Sequence, residues 1–321
     1  MSEECDVLDT CTNPLLTKPS TTPPGKVLDE LQISDFGLFG ATWWPCATFD
    51  KLRIVTYLSI WLFTWDDEID HSDGSLCDKL GAAQVYRNQT LAYMRYSLGL
   101  DMRDHDPAIT NRIILNFAPI GAALKKSYTL GQRQRVYDTM QFFMSMSEHE
   151  QRLRLSGAIP SVEDFWRYRL GSSAVPVCLA FNEFSWEDMK LPRDFHEDRE
   201  VKSIKKYTNT IVSTVNDLLS LKKEIRRGAI DSLIPIYLYH IRDLDVAVKE
   251  VVAFLAAEIK GMNEAAASLF QRYETADEDM QRQVKEFVDG CKHYTTGNLT
   301  WSLETGRYGV ERVGGEIVMT L

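Results

Sequence analysis

The amino-acid sequence predicts an all-α fold. Apolar residues recur at i, i+3, i+4 and i+7 through long segments, alternating β-type runs are scarce, and only 11 prolines and 18 glycines punctuate 321 residues. The stretch Ile54-Val55-Thr56-Tyr57-Leu58-Ser59-Ile60-Trp61-Leu62 is apolar almost all round. A helix of that kind is buried inside a large helical assembly rather than lying on a surface.

In chain order, residues 1–26 come first. They mix Pro14, Pro19, Pro23, Pro24 and Gly25 with Ser, Thr and acids, a composition that cannot build a core. They read as a disordered segment ahead of one domain over 27–321, since no repeat, linker or composition shift divides the rest. Helices are predicted at 50–70, 76–98, 108–126, 131–156, 161–183, 195–227, 231–241, 245–272 and 276–304. The breaks hold Ser72-Asp73-Gly74, Gly157 with Pro160, Pro192, and Gly228. Ser161 with Asp164, and Thr275 with Glu278, have the hydroxyl-then-acid spacing of a helix start.

Composition narrows the function. Asp+Glu 46 against Lys+Arg 36 gives a net charge of −10, which argues against general nucleic-acid binding. A polyanionic ligand must then be held by local basic groups or by metal ions. The apolar run Ile54 to Trp65 is too short to span a bilayer, and no charged-then-apolar signal opens the chain. The cysteines Cys5, Cys11, Cys46, Cys77, Cys178 and Cys291 form no CxxC pair and read as reduced thiols of a cytoplasmic protein. Glu148-His149-Glu150 reads as a solvated helix face, because consecutive helical residues point different ways.

Three local patterns carry chemistry. In Phe63-Thr64-Trp65-Asp66-Asp67-Glu68-Ile69-Asp70 an apolar helix ends in a burst of acid, with Asp66 and Asp70 on one face. Such crowding calls for a cation, and its carboxylate oxygens suit Mg²⁺; a solvated helix end is the competing reading. In Asn216-Asp217-Leu218-Leu219-Ser220-Leu221-Lys222-Lys223-Glu224, the residues Asn216, Ser220 and Glu224 form a column of hard oxygen donors. The same spacing turns Asp217 elsewhere, and Lys223 can reach a phosphate on the same ion. The third is Arg307-Tyr308, just after a predicted helix end; alone it has almost no specificity.

In this order the three patterns resemble class I terpene cyclases of the short, single-domain kind found in fungi and bacteria. Asp66-Asp67-Glu68-Ile69-Asp70 matches the family's aspartate-rich motif, Asn216 to Glu224 its second metal motif NDxxSxxKE, and Arg307-Tyr308 its C-terminal RY pair. The resemblance covers about residues 30–315. It implies a helical bundle around a central apolar cavity and a trinuclear Mg²⁺ cluster. The ligands would be Asp66, Asp70, Asn216, Ser220 and Glu224. It also implies a diphosphate-sensing arginine on a broken helix. In Phe165-Trp166-Arg167-Tyr168-Arg169-Leu170-Gly171-Ser172-Ser173-Ala174-Val175-Pro176 that arginine is Arg169, nearer the break than its competitor Arg167, with Ser172 and Ser173 as the switch residues.

The implied reaction is ionisation and cyclisation of a prenyl diphosphate, farnesyl diphosphate above all. Arg169, Lys223, Arg307 and Tyr308 bind the diphosphate, and Phe63 and Trp301 line the pocket. Phe142, Phe143, Trp43 and Trp44 read as core. A diterpene cyclase using geranylgeranyl diphosphate stays open. A prenyl diphosphate synthase is disfavoured, because the second aspartate-rich motif it normally carries is replaced by Asn216, Ser220 and Glu224. A non-catalytic helical scaffold gives no reason for metal-type donors on two helices. Neither nucleic acid nor membrane insertion is expected, and monomer and homodimer both remain open.

Overall fold

The computed structural model describes residues 32–70, 74–101, 107–227, 231–314 and 316–318. The predicted disordered segment 1–26 therefore lies outside the described residues, as do Cys5, Cys11, Ser72, Asp73 and Gly228. Among the described residues the chain is helical except for one small C-terminal hairpin. The helices are α1 (Phe36–Trp43), α2 (Phe49–Asp70), α3 (Leu80–Ser97), α4 (Arg112–Leu115), α5 (Ala118–Ser127), α6 (Leu130–Ser156), α7 (Val162–Ser172) and α8 (Val175–Ala180). They continue with α9 (Asn182–Ser185), α10 (Arg193–Glu197), α11 (Arg199–Leu219), α12 (Leu221–Arg227), α13 (Leu233–Ile241), α14 (Leu244–Arg272) and α15 (Glu278–Glu304). Strands β1 (Glu311–Val313) and β2 (Glu316–Val318) pair antiparallel, Arg312 opposite Ile317.

The long helices follow the predicted ranges, but several predicted single helices are divided. The stretch 161–183 becomes α7, α8 and α9, and 195–227 becomes α10, α11 and α12. The expected start at Ser161 holds: its hydroxyl accepts from Asp164 N at 3.1 Å. The last long helix starts differently from the expected Thr275. Asp277 is its cap and accepts from Met280 N at 2.8 Å, since a carboxylate at that position reaches the free N–H groups. Gly157 closes α6 in the left-handed region, at φ 69°.

Packing places two helices at the centre. α11 lies against α14 and α15, and α1 is wedged between α15 and α2. α2 is buried on all sides, from Val55 through Trp65 and Ile69, as its apolar sequence requires. Its indoles find partners inside the core: Trp61 Nε1 donates to Ile113 O at 2.7 Å, and Trp65 Nε1 to Thr90 Oγ1 at 2.9 Å. Cys46, Cys77, Cys178 and Cys291 are free thiols. No described helix is long and apolar enough to cross a membrane.

The α1–α15 contact depends on a missing side chain. A Cβ on Gly297 would lie 2.4 Å from the Thr42 carbonyl oxygen, a backbone atom that cannot swing away. Gly297→Ala should therefore push α1 off α15 and destabilise the fold by about 1–3 kcal/mol. Gly81 in α3 has nothing within 4 Å of that position, so Gly81→Ala should hold or raise stability by up to about 1 kcal/mol. Thermal unfolding of the two variants checks the contrast; equal midpoints would mean that the close approach carries no strain.

Candidate active site

α2 delivers the acidic wall of a cavity of about 430 Å³. Ser59, Phe63, Asp66, Asp67 and Asp70 recur every three or four residues, so one helix face carries all five into the cavity. Glu68 turns away to accept from Ser75 Oγ at 2.8 Å. Burial, together with the nearby charges of Asp70, Glu150 and Asp67, holds the Asp66 carboxyl well above the usual carboxylate range, while Arg169 pulls it down. Two arginines answer this charge. Arg154 Nη1 donates to Asp70 Oδ1 at 2.9 Å, and Arg307 Nη2 to Asp67 Oδ1 at 3.3 Å.

Glu150 overturns the reading of Glu148-His149-Glu150 as a solvated face. Glu148 and His149 keep that role, His149 exposed and Glu148 paired with Arg152 at 2.6 Å. Glu150 is 7 % exposed and lines the cavity. Its carboxyl is pushed up to about 8, by burial first and Asp70 second. Arg154, one turn further on, shares the same helix face.

The second wall comes from the junction of α11 and α12. The helix is interrupted at Ser220, yet Ser220 N still bonds Asn216 O at 2.8 Å and Glu224 N still bonds Ser220 O at 3.0 Å. The predicted column thus survives the break. Asn216 and Glu224 line the cavity, whereas Ser220 is 1 % exposed and donates its hydroxyl to Glu224 Oε1. Glu224 Oε2 is buried with no hydrogen-bond partner. An orphaned carboxylate oxygen aimed at a cavity is the donor a hard cation needs.

Asp217 corrects the spacing argument, which turned it elsewhere. It is fully buried, lines the same cavity and binds Arg169 Nη2 at 2.6 Å through Oδ1. Its Oδ2 accepts from Leu233 N at 3.1 Å, anchoring the start of α13. Burial raises its carboxyl to about 6 against the opposing pull of Arg169. Arg169 also donates to Asn216 Oδ1 at 3.1 Å, and Asn216 Nδ2 to the Tyr308 hydroxyl at 2.7 Å. One hydrogen-bonded chain therefore links α7, α11 and the segment after α15.

Of the two candidate arginines, only Arg169 reaches the cavity. Arg167 is 68 % exposed and paired to Glu163 and Asp164 at 2.6 and 2.7 Å. The expected helix break is present. α7 ends at Ser172, Ala174 is left-handed at φ 57°, and Pro176 sits in the first turn of α8. Gly171 has a different task from the one its proximity to the break suggests. A Cβ there would meet Met146 Cγ at 2.3 Å, so it permits close packing on α6. Ser172 and Ser173 line the cavity. Lys223, Arg307 and Tyr308 are on its wall too, with Lys223 Nζ 5.6 Å from the Tyr308 ring centroid.

The far end is apolar and aromatic. Phe63 and Trp301 line it, their ring centroids 5.7 Å apart, with Phe39 5.8 and 5.0 Å from them. Trp301 is held by its N–H, which donates to Ser34 O at 2.7 Å. Trp43 and Phe143, read as core, are buried but also form part of the cavity wall. Trp44 is core, donating to the Tyr294 hydroxyl at 2.8 Å. Phe142 is not core: it is 42 % exposed, because helical geometry turns it away from its neighbour Phe143. Asn298, one turn before Trp301, and Asp231 complete the lining and carried no sequence signal of their own.

Residues 57–261 match the family described as terpene synthase family 2, C-terminal metal binding. The sesquiterpene cyclase hepA of Aspergillus oryzae is 35 % identical over 299 residues, covering 90 % of this chain and 79 % of that protein. The silphinene synthase peniA of Penicillium patulum is 27 % identical over 283 residues, covering 88 % and 74 %. The crystal structure of a-eudesmol synthase superposes with a TM-score of 0.79 over 94 % of both chains at 17 % identity, a likeness of fold. Cavity, metal-type donors and sequence kinship agree: the chain belongs to terpene synthase family 2, a family of terpene-cyclising enzymes with a metal-binding domain.

Proposed function

We propose that the protein ionises and cyclises farnesyl diphosphate to a sesquiterpene in a Mg²⁺-dependent reaction. The carrying observation is one cavity with two chemistries. One end gathers carboxylates, an amide and three arginines, and the other is walled by Phe39, Trp43, Phe63 and Trp301. A ligand with a diphosphate head and a hydrocarbon tail matches both ends. The relative from Aspergillus oryzae, named a sesquiterpene cyclase, favours the fifteen-carbon tail.

The donor set fits Mg²⁺: the oxygens of Asp66, Asp70, Asn216, Ser220 and Glu224 are hard ligands, and Glu224 Oε2 has no protein partner. No three His, Cys, Asp or Glu side chains among the described residues converge into a metal site of their own. The ligands would come from both walls, Asp66 and Asp70 on one and Asn216, Ser220 and Glu224 on the other, together with phosphate oxygens. When bound, Mg²⁺ supplies the positive charge that makes diphosphate a good leaving group.

The protein's own residues do the rest. Arg169, Lys223 and Arg307 donate to phosphate oxygens. Burial pushes the Tyr308 hydroxyl up to about 12, so it stays protonated and can donate as well. These contacts strengthen as the carbon–oxygen bond breaks and its electron pair moves onto the leaving diphosphate. The allylic cation left behind meets aromatic faces, which stabilise it without offering a nucleophile. The Arg307 guanidinium lies 5.1 Å from the Phe63 ring centroid, which marks Phe63 as the boundary between the two ends.

Incubation of the purified protein with geranyl, farnesyl and geranylgeranyl diphosphates plus Mg²⁺, with products read by gas chromatography–mass spectrometry, tests the reading. Cyclic fifteen-carbon products from farnesyl diphosphate are expected. Turnover of geranylgeranyl diphosphate alone would move the chain to diterpene cyclisation, and a longer prenyl diphosphate product to chain elongation.

Arg169→Lys should cut turnover on the order of 10²-fold, since a point charge cannot replace a planar donor shared among Asp217, Asn216 and phosphate. Arg167→Lys, on the outer face, should leave turnover near wild type. The reverse ranking in a steady-state assay would remove Arg169 from the reaction.

Phe63→Ala and Asp66→Asn should separate shape from ionisation. The first removes about 0.5–2 kcal/mol of cation stabilisation but no metal donor, so diphosphate release continues while products shift to early-quenched or differently cyclised species. The second removes a carboxylate charge, so diphosphate release falls steeply. Measuring both quantities for each variant checks this; an unchanged product ratio in Phe63→Ala would make Phe63 ordinary packing.

A further inference from the structure

A second cavity, of about 300 Å³, lies on the alternate faces of α8 and α11. Pro176, Leu179 and Asn209 face it, while Val175, Cys178 and Val212 on the same helices face the first cavity. Nothing in the proposed reaction uses it. Its size is at the lower end of small-ligand sites.

The charges around it do not balance. Glu183 is the one carboxylate in its described lining, and it already accepts from two donors, with His196 beside it. Arg135 Nη2 lies 2.6 Å from it, Gln132 Nε2 2.9 Å and His196 Nε2 3.1 Å. Lys205 Nζ has no carboxylate within 4 Å among the described residues, and its polar contact is His196 Nδ1 at 3.1 Å. An ammonium can only donate, so Nδ1 accepts from the lysine and the neutral ring carries its proton on Nε2. Burial lowers the Lys205 ammonium from its usual range, Arg135 adds to that, and Glu183 and Glu197 act against it from beyond contact distance. Lys206 adds a second amine on the lining.

The remaining wall is apolar, with Leu179 and Phe287, and Phe142 lies partly open to solvent at its edge. Lys205 Nζ sits 5.8 Å from the Phe287 ring centroid, so charge and apolar surface are adjacent. We propose that this second cavity binds an amphiphile with a single anionic head and a short aliphatic body, the head held by Lys205 and Lys206 and the body laid against Phe142, Leu179 and Phe287. Lys206 is near Glu258, outside the cavity, but Glu183 is taken by Arg135 and Gln132, so an incoming anion gives Lys205 the partner it lacks. Asn209 ties this wall to the first cavity: its Nδ2 donates to Leu170 O at 2.7 Å, and its Oδ1 accepts from Ser173 Oγ at 2.8 Å.

Isothermal titration of the full chain with sodium decanoate tests the proposal, with decan-1-ol as a neutral probe of equal length. Saturable decanoate binding is expected, with decanol weaker by on the order of tenfold or more. Lys205→Met should weaken decanoate by a similar factor while leaving decanol unchanged. Thr139→Trp fills the cavity without altering a charge and should remove binding of both probes; it also decides the matter should Lys205→Met melt early. Decanoate bound equally well by both variants would place it elsewhere, in the first cavity, and overturn the proposal. Equal binding of the two probes, or no saturable binding of decanoate, would overturn it as well.

Discussion

Carboxylates crowded into a cavity withdrawn from water are the constraint on which the rest of this structure depends. Asp66, Asp67, Asp70, Glu150, Asp217, Glu224 and Asp231 line one space, against Arg154, Arg169, Arg307 and Lys223. Charge of one sign at that density raises carboxyl pKa values or demands cations. Both responses are present. Asp66, Glu150, Asp217 and Asp231 are all pushed upward, and three arginines are spent on Asp70, Asp67 and Asp217. Seven acids face four bases, an imbalance that suits a family with a metal-binding domain.

The fold supplies the geometry that this charge requires. α2 is held by buried indoles upstream of its acidic end, so the acids cannot spread apart. The break between α7 and α8 leaves Arg169 at a helix end beside Asn216 and Asp217. The interruption at Ser220 keeps the backbone bonds of the Asn216–Ser220–Glu224 column while starting a new short helix. Tyr308 closes the chain of contacts from the segment after α15. The aromatic floor is set by packing of α1 against α15, which depends on the bare backbone at Gly297. Chemistry and stability thus draw on the same few contacts.

Much of this was legible in the sequence, for reasons that differ by residue. Asp66, Asp70, Asn216 and Glu224 announce themselves because helical periodicity turns spacing directly into a shared face. Arg169 was separable from Arg167 because Pro176 locates the break. Glu150 and Asp217 were not legible. Each was assigned to a solvated or averted face by helical spacing alone, and only tertiary packing decides that those faces meet the cavity. Trp43 and Phe143 are buried as read, but burial alone does not tell core from cavity wall. The division at Ser220 lacks the glycine or proline that makes a break visible in one dimension, whereas Pro119, in the first turn of α5, does mark the one at Asn116–Phe117.

On the proposed function, the two donor walls are incomplete until metal and diphosphate arrive together. Thermal unfolding of the full chain with Mg²⁺ alone, inorganic diphosphate alone, and both tests it most directly, because a ligand that binds only the folded state raises the midpoint. A rise with both that exceeds the sum of the separate effects is expected, with most of that excess lost in Glu224→Gln. A full rise with diphosphate in the presence of a chelator, or an undiminished excess in Glu224→Gln, would contradict it.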